Sequence, residues 1–310
     1  MNNIVNIVQK LKKYILDPDY RFMVNASKGL YNSMPDRQYL EKMFKVRMGY
    51  DLNLDNPVTF NEKLQWLKLN NRRDIYSRMV DKFTAKKYAA EQVGDKYIIP
   101  TLGVWSDFDE IDFDKLPNQF VLKTTHDSGG VVICRDKSKL DIATVRKRIN
   151  KSMKNNYYLH AREWPYKNVK PRIIAEEYLS ILESGKELIE YKFFCFNGEP
   201  RLVLVCKGAA HGNGRTNDFY DLDFNHLNVK LTYPNAAEKC EKPKEIDEML
   251  GVARKLSYGI PHLRVDLYIA NGEVYFGETT FFHDSGFCKF DPPEWDKRFG
   301  DMLKLPVEKV

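Results

Sequence analysis

The sequence predicts an α+β protein: a helical head followed by a body of antiparallel hairpins with helices between them. Three observations carry that prediction. Apolar residues recur at helical spacing from the start of the chain to about Glu91. From Gly94 onward the apolar runs shorten, become rich in Val, Ile and Phe, and are punctuated by turn residues. Two pairs of these runs flank Asn-Gly, at Asn197-Gly198 and Asn271-Gly272. That dipeptide tolerates the left-handed backbone of a tight two-residue hairpin.

In chain order, Ile4, Val8, Leu11 and Ile15 predict a first helix, with Lys10, Lys12 and Lys13 on its other faces. A basic amphipathic helix suits a membrane surface. A helix packed on its own domain is the preferred reading. Pro35-Asp36 opens a second helical run to about Met48. Thr59 or Asn61 is placed to cap a helix carrying Leu64, Trp66, Leu67 and Leu69, and a long helix spans Ile75 to Glu91. Strands follow at Tyr97–Pro100, Gln119–Lys123 and Val131–Ile133, then a basic helix over Ile142–Met153 and a strand at Arg172–Glu176. Leu188–Phe196 and Leu202–Cys206 form one hairpin, and Leu263–Ile269 and Val274–Phe276 another. Helices are expected at Glu245–Leu256 and Trp295–Leu303. No internal repeat is present.

Composition narrows the class. A chain of 310 residues with 43% hydrophobic and 30% charged residues suits one large globular domain or two joined ones. No apolar run approaches bilayer length. The opening MNNIVNIVQKLKK puts its lysines after the apolar residues and has no small-residue cleavage site, so no secretory signal is read there. The five cysteines (Cys134, Cys195, Cys206, Cys240, Cys288) are odd in number and never spaced C-x-x-C, which points to a reducing compartment, without disulfides or structural zinc. A cytoplasmic protein is expected. The net charge of +6 suits an acidic substrate such as a nucleotide or an anionic sugar. Nucleic acid is the weaker reading, because no basic block, zinc-finger spacing or RNP-like strand is present.

Four constellations carry chemistry. In Phe120–Ile133 a lysine, Lys123, ends an apolar strand, and Ser128-Gly129-Gly130 form a turn whose backbone N–H groups a phosphate could approach. An ordinary glycine hairpin with an exposed lysine is the plainer reading, and no Walker sequence follows. In Ile173–Leu179 an apolar strand runs into Glu176-Glu177, as an adenine slot with an acidic edge would need. A strand end meeting solvent does the same. Arg264 and Asp266 share one strand face, and Glu278 returns on the next strand. Two carboxylates beside a guanidinium suit either Mg²⁺ bridged to a triphosphate or a cross-strand salt bridge. Glu190 and Lys192 also share a face, fit for ribose and phosphate or for a paired surface strand. The six histidines show no zinc spacing. His283-Asp284-Ser285 lacks a nucleophile elbow. Tyr157, Tyr158, Trp164 and Tyr166, with Arg162, suit either sugar stacking or packing.

The order of these pieces, opened by Asp81-Lys82, resembles the ATP-grasp superfamily. More narrowly, NPVTFNEKLQWLKL, VDKFTAKKYAAE, FVLKTTHDSGG, IIAEEYL, EYKFFCFNGEP, LRVDLYIANGEVYFGETTF and DKRFGDML resemble the TupA-like ATP-grasp family, over roughly residue 35 to the C-terminus. Members of that family are often labelled glycosyltransferases or polysaccharide biosynthesis proteins. The resemblance implies two α+β lobes whose antiparallel sheets grip ATP. They would be divided as an N-terminal helical segment (1–80), a first lobe with the phosphate loop (81–180) and a second with the Mg²⁺ site (181–310).

It also implies residue roles. Lys82 and Lys123 would contact the nucleotide phosphates, with Ser128, Gly129 and Gly130 as the mobile phosphate loop. Glu176, Glu177, Tyr178 and Leu179 would form the adenine hinge, mainly through backbone groups at Glu177 and Leu179. Glu190, or alternatively Glu187, would sit at the ribose, and Lys192 near the phosphates. Asp266 and Glu278 would bind Mg²⁺, and Arg264 would hold the acyl phosphate. The family's Asp-Tyr-Lys is here Glu190-Tyr191-Lys192. Thr280 stands where many ATP-grasp enzymes carry a metal-binding Asn, so a third ligand and a second Mg²⁺ are weakened. The implied reaction is ATP-dependent joining of a carboxylate to an amine through an acyl phosphate, on small-molecule or saccharide substrates of surface polysaccharide. A glycosyltransferase, or a phosphotransferase on the same fold, is the alternative. Asp266→Ala is expected to abolish turnover and leave the fold intact.

Overall fold

The computed structural model describes residues 2–179, 188–208 and 214–307. Helix α1 (Asn2–Leu16) forms as its periodicity predicts. Its apolar stripe is not packed, which overturns the preferred reading: Ile7, Val8, Leu11 and Ile15 are 56–66% exposed. The physical reason lies at the other side of the helix. Tyr14 donates its hydroxyl to Asn25 Oδ1 (2.7 Å), and Arg21 donates to the carbonyls of Tyr14 and Ile15. These bonds tie α1 to α2 (Pro18–Ser27), which Asp17 caps. α3 (Asp36–Met48) ends on Gly49, whose φ of 89° suits a residue without Cβ.

Thr59 starts α4 (Phe60–Asn70), exchanging a reciprocal capping box with Glu62. Asn61 instead turns inward, donating to the Cys288 carbonyl and Asp296 Oδ2 (both 2.8 Å). The expected long helix is broken into α5 (Ile75–Val80) and α6 (Lys82–Val93). Asp81 leaves helical geometry (φ −71°, ψ 111°) and caps α6 by accepting the Phe83 N–H.

The first sheet contains β1 (Thr101–Trp105), β2 (Phe120–Thr124), β3 (Val131–Cys134) and β4 (Ile173–Glu177), in the order β1-β4-β2-β3, all pairs antiparallel. β1 begins later than expected because Asp95–Tyr97 winds into one 3-10 turn. Phe120, Leu122, Val145, Ile149, Ile173 and Ala175 form its core, with α7 (Ile142–Met153) laid on it. α8 (Tyr157–Ala161) leads back toward β4.

The second sheet has six strands: β5 (Glu190–Phe196), β6 (Glu199–Lys207), β7 (Thr216–Tyr220), β8 (His226–Leu227), β9 (His262–Ala270) and β10 (Glu273–Thr280). Their order is β10-β9-β5-β6-β7-β8, again antiparallel throughout. Both Asn-Gly turns form as predicted, with positive φ at both residues (51° and 84°; 54° and 81°). β7 and β8 were not legible, since Thr-Asn-Asp-Phe-Tyr lacks apolar alternation. α9 (Ile246–Ser257) and α10 (Glu294–Met302) close the body. One apolar core joins Leu64, Met79, Ala85 and Ala89 of α4–α6 to Phe193, Val203, Leu256 and Val265. Each such large side chain contributes about 1.5–3 kcal/mol. α6 therefore packs with the six-stranded sheet while its Lys86 reaches the four-stranded one at Thr101 and Glu176. No described helix is long and apolar enough to cross a membrane.

Candidate active site

The polar faces of the two sheets meet across a cleft of about 540 Å³, within the usual size of a ligand site. Its floor is set by strand register. Asp266 lies directly opposite Lys192 on β5 and Glu278 on β10. The pairing of β9 with β10 shifts at Gly277, where an added Cβ would meet the Tyr268 ring at 2.6 Å. That bulge aims Glu278 onto the same face as Asp266.

Asp266 is fully buried and accepts a bidentate Arg264 fork (both 2.7 Å) and Lys192 Nζ (2.5 Å). Burial alone would raise its carboxyl pKa, but Arg264 and Lys192 outweigh burial and hold it below the ordinary range. Lys192 also pairs with Glu190 (2.8 Å), which accepts from the Tyr268 hydroxyl (3.0 Å). Burial opposes the Lys192 charge, and Asp266 and Glu190 hold it raised nonetheless. Glu278 is looser, at 3.5 Å from Arg264 and 3.7 Å from Lys82. Thr280 lies opposite Arg264 and lines the cleft.

The roof comes from the four-stranded sheet. Glu176, 3% exposed, is clamped between Lys123 (2.5 Å) and Lys86 (2.6 Å). Burial would raise its pKa, but Lys123 and Lys86 keep it lowered. Lys82 reaches the Asp127 carbonyl from the first turn of α6. The glycine turn is built on the Asp127 carboxylate, which accepts from Thr124 Oγ1 (2.5 Å), the Gly130 N–H (3.2 Å) and Ser152. At Gly130 an added Cβ would lie 2.0 Å from Thr124 Oγ1, so only glycine fits. Ser128 and Gly129 are exposed, Ser128 at the cleft rim.

The structure thus gathers Lys82, Lys123, Ser128, Glu176, Glu190, Lys192, Arg264, Glu278 and Thr280 in one cleft, around the buried Asp266. Glu177, Tyr178 and Leu179 continue from the end of β4 without lining it, and the Glu177 N–H is held by the Pro100 carbonyl (3.1 Å). Glu187 lies outside the described residues. Sequence reasoning missed Lys86, although it stands four residues after Lys82 on the same helix face. It also missed Tyr268, two residues beyond Asp266, and Glu163, which no motif marks. Tyr157 and Tyr166 line the cleft, whereas Arg162 is buried over the Tyr39 ring and is packing.

The residues fit a hard divalent cation. Among the described residues, Asp266 Oδ1 accepts a single hydrogen bond and Glu278 makes two long ion pairs, so both keep lone pairs. His283, Asp284 and Cys288 also bring possible ligand atoms within 4.8 Å of one another. Arg264 donates to His283 Nδ1 (2.7 Å), so the neutral imidazole carries its proton on Nε2, where a metal would have to bind. That trio is not a metal site in this form.

Residues 62–304 match the family described as TupA-like ATPgrasp. Among solved structures, D-alanine–D-alanine ligase from Bacillus anthracis complexed with ATP is 18% identical with a TM-score of 0.41, covering 66% of this chain and 55% of that one. The Helicobacter pylori D-alanine–D-alanine ligase is 15% identical (TM-score 0.38; 86% and 69% covered). The Aspergillus clavatus N5-carboxyaminoimidazole synthase, with ADP and 5-aminoimidazole ribonucleotide, is 12% identical (TM-score 0.39; 75% and 54%). The chain spans just over half the length of the first of these. No curated protein sequence matches.

Proposed function

This chain belongs to the TupA-like ATP-grasp family, and from that premise we propose that it is a carboxylate–amine ligase driven by ATP and Mg²⁺. Its two antiparallel sheets are the two lobes of the ATP-grasp fold. The observation that most supports the activity is the meeting of Lys123 and Glu176 with Lys192, Asp266, Arg264 and Glu278 across one cleft. Lys82, Lys123 and Lys192 neutralise the triphosphate, under the Ser128–Gly130 turn. The Glu176–Leu179 strand end receives the adenine, and Glu190 the ribose. Asp266 and Glu278 would hold Mg²⁺, with Thr280 a weak third donor; the ion would supply neutralisation of phosphate charge. A substrate carboxylate attacks the γ-phosphorus. Arg264 then steadies the acyl phosphate until an amine displaces phosphate. The substrates we infer are an acidic sugar and an amino acid or other amine, in surface polysaccharide assembly.

Calorimetry of ATP with and without Mg²⁺ tests this reading. Lys123→Ala, which removes the cation that faces the nucleotide from the roof, is expected to weaken binding about tenfold or more. Binding of a UDP-sugar in place of ATP would instead support the glycosyltransferase reading. ATP turnover yielding a stable phosphorylated product would mean a phosphotransferase.

We also infer that α1 rests on the anionic inner face of a membrane, the enzyme being cytoplasmic. The outward stripe of Ile7, Val8, Leu11 and Ile15 belongs to a helix with lysines and no acidic residue. Leu11→Glu is expected to reduce sedimentation with phosphatidylglycerol-containing vesicles several-fold. Equal sedimentation of both proteins, or a wild-type dimer that the substitution dissolves, would show that lipid does not cover this face.

A further inference from the structure

We propose that Glu163 is the acceptor-amine subsite of this cleft: its carboxylate binds the substrate's ammonium group and takes the proton that frees the nitrogen to attack. The inference rests on the ligase reading above and adds the residue that receives the second substrate.

The backbone places Glu163 there deliberately. Arg162 ends α8 in the left-handed region (φ 56°) and sends its side chain over the Tyr39 ring, donating to the Tyr31 carbonyl (2.7 Å). Its neighbour Glu163 goes the other way, into the cleft wall, where it is 2% exposed. One carboxylate oxygen accepts the Ser285 hydroxyl at 2.5 Å. Ser285 and the preceding Asp284 are both non-glycine residues at positive φ (56° and 45°), a strained pair that persists only where its surroundings enforce it. Lys68 and Gln65 enforce it. Buried Lys68 donates its three N–H bonds to Gln65 Oε1 (2.9 Å), the Ala161 carbonyl (2.9 Å) and the Ser285 carbonyl (2.7 Å). It therefore staples the segment before Glu163 to the segment that anchors Glu163.

With its N–H groups satisfied in this way, Lys68 forms no ion pair with Glu163. Among the described residues no lysine or arginine does. Lys68 and Arg264 act on the Glu163 charge only from beyond contact distance, and a carboxylate this buried remains costly without a contacting cation. Its second oxygen has no hydrogen-bond partner among the described residues, and the residue faces the cleft that Arg264 and Glu278 also line. Tyr157 and Tyr166, in edge contact at 4.7 Å between centroids, flank the same wall and offer aromatic faces to a cation or a sugar ring. A second anion would be repelled here; an ammonium completes the site. Burial raises the Glu163 carboxyl above its ordinary value despite Lys68, which suits a group that must accept a proton.

The step balances. The ammonium transfers one proton to the Glu163 carboxylate. The freed nitrogen lone pair forms the C–N bond at the acyl carbon, and the C–O bond to phosphate breaks with its electron pair leaving on phosphate. The second proton passes from nitrogen to the departing phosphate, and Glu163 later returns its proton to solvent.

The test uses the full chain loaded with ADP and Mg²⁺, titrated in the calorimeter with methylammonium and with D-glucosamine, and with N-acetylglucosamine as the uncharged control. We expect D-glucosamine to bind and the control not to. Glu163→Gln keeps the acceptor for Ser285 and should weaken D-glucosamine binding tenfold or more while leaving ADP binding unchanged. Ser285→Ala, which removes only the anchor, should weaken it by a smaller factor. Equal amine binding by wild type and Glu163→Gln, or no binding of either amine to the ADP-loaded protein, would overturn the proposal. Failure of the nucleotide itself to bind would instead overturn the ligase reading beneath it.

Discussion

Asp266→Asn will lose Mg²⁺-dependent ATP binding and part of its stability while remaining folded, and Asp266→Ala will lose more stability still. Asp266 is fully buried and bonded to both Arg264 and Lys192. Asparagine keeps the volume and one acceptor oxygen but removes the charge that a hard cation needs. Any turnover should fall roughly 10²–10³-fold, the usual loss when one fixed electrostatic partner of a transition state is removed. Either substitution leaves two buried cations side by side, with Glu190 and the loose Glu278 as their remaining partners, and alanine also removes the acceptor oxygen and the volume. Breaking a buried pair in this way costs about 3–5 kcal/mol. Urea unfolding of the two variants, read beside calorimetry with MgATP, separates the two effects. Wild-type affinity in Asp266→Asn would remove Asp266 from the metal site. The sequence reading expected an intact alanine variant; the register that brings Lys192 opposite Asp266, which was not visible in the sequence, predicts a loss of stability instead.

The second large effect concerns the other lobe. Glu176→Gln should destabilise the protein by about 3–5 kcal/mol near neutral pH, because Lys86 and Lys123 lose their shared buried counter-charge. The pH dependence has a definite sign. The folded carboxyl titrates below its ordinary value of 4.5, so its stabilisation is complete above that value and disappears as pH falls through the folded value. The urea midpoints of wild type and variant should therefore differ at about pH 7 and converge only as pH falls below the ordinary value of 4.5 and through the folded one. A gap that stayed constant across this range would show that the lysines are not held by charge.

What could be read in advance follows local rules. Asn197-Gly198 and Asn271-Gly272 state their hairpins in two residues, and Thr59 or Asn61 marked a helix start, which the structure assigns to Thr59. Lys192, Arg264, Asp266 and Glu278 were legible because alternation along neighbouring strands places them on one face, and Lys123 because it ends an apolar strand. What escaped depends on distance along the chain. Asp81 breaks a continuous helical pattern because it serves as a cap, with Arg172 paired to its carboxylate from far away. Glu163 is brought to the cleft by Ser285 and Lys68, residues separated from it by long stretches of sequence that no periodicity connects. The outward face of α1 depends on Tyr14 and Arg21 rather than on its own stripe.

The cleft as it stands holds carboxylates nearly matched to its cations: Glu176 answers Lys123 and Lys86, while Asp266 and Glu190 answer Lys192 and Arg264. It is a self-neutralised lattice, not a basin of positive potential. A bare triphosphate entering it would confront Glu278 and Asp266 as directly as it meets the lysines, and a bare metal ion would confront Arg264. On the proposed function, nucleotide and ion would solve each other's problem by arriving together, and the pairing of charges inside the cleft would act as a coincidence requirement on what it admits.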